Sequence, residues 1–215
     1  MSYDFVALVP EVAVGGDDEV LAAASRLTDD ESGVETVDPR IAAFHAELAA
    51  LVENLPDDEK WISVWPLAPS AQALFVPVPY PSADEALLTL LRLTARHGLV
   101  LVDLSSDSVD HPPQGLPVSV RGGDGTRLGA LTRERLIALV HDVGGDEPFL
   151  VLDTGERFAQ IYRESDGSFL LEHANESGHV GTTVAGADEA ATQLWLWLDD
   201  DSEFGAGLTF TPVAG

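Results

Sequence analysis

Four short β-prone runs follow one another in the second half of this chain: FLVLD at 149–153, RFAQIYR at 157–163, SFLLEH at 168–173 and HVGTTV at 179–184. Turn residues separate them at close spacing, which is the signature of an antiparallel meander. A sheet of this kind needs helical cover, and two segments can supply it. RERLIALVHDV follows the capping residue Thr132 and ends at Gly144-Gly145. ADEAATQLWLWL places Ala187, Ala190, Ala191, Leu194 and Leu198 on one helical stripe. LPVSV and LTFTPV are further strands. RGGDGTRLG fits neither the G-x-x-x-x-G-K-[ST] nor the G-x-G-x-x-G phosphate-binding pattern and is read as a turn.

The first half reads β-α-α-β-α-β. YDFVALV opens it as a strand, and DDEVLAAASRL follows as a short helix. Asp38 then caps a longer helix with Pro39 at its first position. Ile41, Phe44, His45, Leu48, Leu51, Val52 and Leu55 fall on its apolar stripe. The prolines of ALFVPVPY place that strand at a sheet edge. Ser82 and Glu85 form an S-x-x-E capping box before a third helix that stops at Gly98, and LVLVDL is a buried strand. SSDSVDHPPQGLP is the most linker-like stretch. The expected fold class is α+β in two lobes, 1–113 and 114–215, each a small mostly antiparallel sheet with helices packed on one face.

Charge narrows the function. Thirty-seven acidic residues against eleven Lys and Arg give a formal net charge of −26 in 215 residues. Such a chain repels nucleic-acid phosphates and anionic membranes, and it attracts basic proteins. With no cysteine, thiolate chemistry and cysteine-ligated zinc are excluded. The first residues, MSYDFVALVPEV, have neither the basic region nor the cleavage site of a signal peptide, and no apolar run reaches membrane-spanning length. A cytoplasmic location is expected.

The stretch between Phe158 and Val180 offers two readings. Asp166-Gly167 suits a two-residue type I′ hairpin turn, which sets Tyr162 opposite Leu171, Ile161 opposite Glu172 and Gln160 opposite His173. Alternatively, Glu172, His173 and His179 form a metal- or acid–base cluster. Glu172 and His173 are adjacent and point to opposite sides of a strand, so the hairpin reading is preferred. No catalytic residue, metal or cofactor is assigned. His97 and His141, at helix C-termini, suit the negative end of the helix dipole.

QLWLWLDDDSEF suggests a binding patch in which Trp195 and Trp197 stand beside Asp199, Asp200, Asp201 and Glu203. Glu172 and His179 are assigned as a second partner-binding patch.

The first half resembles uncharacterised acidic proteins of GC-rich actinobacteria through MSYDFVALV, WISVWPL, PSADEALLTLLRLTARHGLVLVD and the trailing HPP. LVDLSSD stands where such relatives carry a Tyr-Asp-Pro-Gln type sequence. The second half, from LTRERLIALVHDVGGDEPFLVLD through WLWLDDDSEF, is similar to immunity proteins of bacterial polymorphic toxin systems. HVGTTV and QLWLWL follow the order of strand and Trp-bearing helix in that family. The resemblance implies a non-catalytic protein that acts by occluding a toxin, and the acidic charge points to a basic one such as a nuclease. Two alternatives are a hydrolase or ligand-binding protein using Glu172, His173 and His179, and a structural or salt-adapted interaction protein.

Overall fold

In a computed structural model, which describes residues 2–29, 36–56, 59–111, 115–175 and 178–213, strand β1 (Ser2–Leu8) forms the spine of a four-stranded sheet. It pairs antiparallel with β2 (Ala73–Pro79) on one side and β3 (Val100–Asp103) on the other. Helix α3 (Ala83–His97) connects those two flanking strands, and β4 (Ser108–Asp110) completes the order β2-β1-β3-β4. Pro77 and Pro79 therefore lie on an edge strand, where a missing N–H leaves no central ladder broken.

Alternation along β1 splits the core. Phe5, Ala7 and Val9 pack with Ile41, Phe44, Leu48 and Val52 of α2 (Pro39–Glu53) and with Leu90 and Leu93 of α3. Val6 and Leu8 meet Val20 and Ala24 of α1 (Asp17–Asp29) on the opposite face. Helices thus cover both faces of this sheet rather than the single face expected. The reason is legible in FVALV, whose unbroken apolar run suits a strand buried on both sides.

Local capping follows the sequence in one helix and departs from it in another. The Asp38 carboxylate accepts from the Arg40 amide at 2.8 Å, with Pro39 in the first turn. Ser82 makes no side-chain cap bond. A 3-10 turn (Tyr80–Ser82) leads directly into α3 and leaves Ser82 at φ −101°, ψ 5°, outside the extended backbone a capping serine adopts. The stretch expected as a linker also carries structure, because Asp103 nucleates a turn. Its carboxylate accepts from the amides of Ser105 (2.8 Å) and Ser106 (3.1 Å) and from the Ser106 hydroxyl (2.7 Å). That turn feeds β4 back along β3.

The chain divides into two compact units, Met1–Pro113 and Gln114–Gly215; Pro113 itself lies outside the described residues. The second unit contains β5 (Leu116–Gly122), β6 (Arg127–Leu131), β7 (Phe149–Asp153), β8 (Phe158–Arg163), β9 (Phe169–Asn175), β10 (Gly178–Val184) and β11 (Thr211–Pro212). They form one antiparallel sheet in the order β11-β10-β9-β8-β7-β5-β6. Most of RGGDGTRLG is strand: its ends belong to β5 and β6, and only the tip turns. Helices α4 (Arg133–Asp142) and α5 (Ala187–Leu198) pack on one face, over Val120, Leu152, Ile161 and Leu171. The fold is α+β. Among the described residues, no helix is long and apolar enough to cross a membrane.

The β8–β9 hairpin forms one residue out of the expected register. Ile161 faces Leu171, Gln160 faces Glu172 and Ala159 faces His173. The loop is three residues long. The Gly167 amide donates to the Glu164 carbonyl at 3.0 Å, and Gly167 takes φ +89° as a bulge. Asp166 fixes this turn by accepting from the Ser168 amide and hydroxyl at 3.0 and 2.6 Å. The shift puts Ile161 and Leu171 together in the core, a pairing that burial favours over Ile161 against Glu172.

Candidate functional site

Residues directly opposite each other in adjacent strands share a face of the sheet. The residues turned away from α4 and α5 therefore form rows across the second unit's other face. One row runs Asp153, Phe158, Ala174, His179. The next runs Val151, Gln160, Glu172, Gly181, and a third runs Phe149, Tyr162, Leu170, Thr183. Among the described residues, neither helix of this unit lies over these rows. Phe149, Val151, Phe158 and Leu170 are half-buried, and Tyr162 is 45% exposed.

Glu172 sits in the middle of this face yet is only 8% exposed. Its side chain lies over Gly181: a Cβ there would come within 3.1 Å of both the Glu172 Cγ and the Val213 Cγ2. The Gln160 side-chain amide donates to Glu172 Oε2. His179 Nε2 stands 3.6 Å from that oxygen, beyond hydrogen-bonding reach, and is buried without a hydrogen-bond partner. The His179 ring packs edge-on against Phe158 at 5.4 Å. A depression lined by Asp153, Glu156, Arg157, Phe158 and Ala174 borders the cluster.

His173 is on the opposite face. It packs edge-on against Phe204 and Phe210, at 5.1 and 5.0 Å. Burial first, then the positive potential of His179 and Arg157, holds its imidazole below the usual histidine pKa. Glu172, His173 and His179 therefore do not converge on one point, because adjacent strand residues alternate sides. Among the described residues, no group of three or more His, Asp or Glu is placed to hold a metal ion.

The Trp–acid segment divides as well. Trp197 is 2% exposed and belongs to the core, whereas Trp195 is half-buried. This corrects the placing of Trp197 in an exposed patch. The α5 helix ends at Leu198 with Asp199 as its C-cap, so the following acids lie beyond the helix. Asp199, Asp200, Asp201 and Glu203 are all exposed. Asp200, at φ +56°, pairs with Arg157 at 2.9 Å.

Two of the helix-terminal histidines join neighbouring helices. His97 Nε2 lies 2.7 Å from Glu47 of α2, and His141 Nε2 lies 2.9 Å from Asp188 of α5. Carboxylates on the adjacent helix, rather than the helix end alone, account for their placement. Sequence reasoning missed Gln160, Phe158 and Tyr162 as neighbours of Glu172. The alternation of β8 would have found them once the register was known. No protein-family model matches the chain, and no curated protein or solved structure matches it at a significant level.

Proposed function

We propose that this chain is a non-catalytic acidic binding protein that recognises a basic protein and neutralises it by occlusion. In particular, we propose an immunity protein whose partner is a basic toxin such as a nuclease, in the cytoplasm. The observation that carries the reading is where the charge goes. Arg40 is held by Glu11 and Asp38, Arg96 by Glu47, and Arg157 by Asp200. Arg163 is spent on the Val143 carbonyl and the Phe169 ring. These cations are committed within the fold, while Asp142, Asp146, Glu156, Asp166, Asp199, Asp201 and Glu203 face solvent. A negative field of this kind speeds encounter with a positive macromolecule and weakens with salt.

The test is kinetic. A partner is captured from the native host, and its association rate is measured across a salt series for the native protein and for a variant with Asp199, Asp201 and Glu203 changed to Lys. Slower association with a flatter salt dependence supports the reading. Unchanged rates count against it.

A further inference from the structure

Resting on that reading, we propose that the face of the seven-stranded sheet turned away from α4 and α5 is where the basic partner docks, with an arginine of the partner seated on Glu172. Three features of the face favour this occupant.

The first is the supply of acceptors. Glu172 is a carboxylate largely withdrawn from water, with Gln160 as its hydrogen-bond donor and, among the described residues, no cation within ion-pair distance apart from the His179 ring. The His179 Nε2 lies 3.6 Å from the carboxylate on the same face, too far to satisfy it by a hydrogen bond. A guanidinium carries five N–H donors in a planar fork and no acceptor, so it suits a carboxylate held this way.

The second is the surround. Phe158, whose ring packs edge-on with that of His179, and the exposed Tyr162 lie in the rows on either side of Glu172. Aromatic rings about a desolvated charge are the arrangement found at the centre of protein interfaces, and they also attract a guanidinium through their faces. The third is complementarity: a chain of net charge −26 favours a positive partner over a second copy of itself.

The experiment uses an octa-arginine peptide as probe at about 0.15 M salt, where exposed charges more than about 8 Å apart are largely screened. Affinity is measured by titration, and amide protection by hydrogen exchange. Protection is expected at Phe158, Gln160, Glu172 and His179. Glu172→Gln keeps the shape and should weaken binding roughly tenfold, as loss of a charge-assisted hydrogen bond does. Glu134→Gln removes the same charge from an exposed position on α4 and should change affinity less than about twofold. Should Glu172→Gln fail to fold, Tyr162→Ala serves in its place, since that ring is already exposed.

Protection centred on Asp199–Glu203, or equal effects of the Glu172 and Glu134 variants, overturns the docking site and leaves the basic-partner reading standing. No saturable binding of the peptide overturns both. A native dimer that dissociates on Tyr162→Glu assigns the face to a second copy and also overturns the proposal.

Discussion

The Arg157 guanidinium lies 4.8 Å from the centroid of the Trp197 ring and donates to that residue's own carbonyl at 2.9 Å. One side chain therefore covers the indole and satisfies a carbonyl at the end of α5, where such groups have no intrahelical partner. A second nitrogen of the same group reaches Asp200. This clamp keeps Trp197 in the core. Arg157→Ala should cost about 2 kcal/mol, combining a charged hydrogen bond with a cation–π contact. Chemical denaturation followed by indole fluorescence measures it. Arg157→Lys should recover only part, because an ammonium lacks the planar fork.

Two glycines in the second unit should fail for different reasons. At Gly123 an added Cβ would stand 1.7 Å from the Glu147 carbonyl oxygen, a backbone atom that cannot swing aside. Gly123→Ala should destabilise by about 3 kcal/mol, the upper end for forced overpacking. At Gly167 there is open space, but φ is +89°. Gly167→Ala should cost only about 1 kcal/mol, through backbone strain alone. Urea melts of the two variants should rank them in that order.

Acid should weaken the fold through His173. Its pKa is held below the unfolded value, so the unfolded chain binds a proton that the folded chain resists. The penalty is absent above a pH of about 6.5 and grows as pH falls below it. His173→Phe, which keeps an aromatic ring against Phe204 and Phe210, removes the titrating group. The thermal midpoint of the native protein should fall relative to this variant between neutral and mildly acidic pH. Parallel curves would refute the assignment.

Salt should act in the opposite sense on the whole molecule. Self-repulsion among excess carboxylates is felt over about 30 Å at 0.01 M ionic strength but only about 10 Å at 0.1 M. The thermal midpoint should rise between those conditions. A flat response would mean that the acids are spaced too far apart to interact.

Much of the fold was legible in local pattern. The α5 stripe, the Asp38 cap and Pro39, the edge prolines of β2 and strand β7 all follow from periodicity and from residues with one conformational preference. The failures share a cause. The Asp166-Gly167 pair fits both a two-residue and a three-residue loop, and only the gain from setting Ile161 against Leu171 selects the longer one. β4 was hidden because its Ser-Asp composition reads as linker, whereas Asp103 uses those serines to turn the chain back into the sheet. The candidate site was half legible. Glu172 and His179 stood out by residue type, but their partners could not be named without the register.

By itself, the sequence determined the sign and size of the charge, the absence of thiol chemistry, and most of the helices and strands, because these depend on composition and on neighbours along the chain. Only the tertiary structure decided that Trp197 is covered by Arg157, that His173 and Glu172 lie on opposite faces of one sheet, and that Glu172 is enclosed beside an unpartnered His179 nitrogen. Those outcomes turn on strand register and long-range packing, where a shift of one residue exchanges every side chain between core and surface.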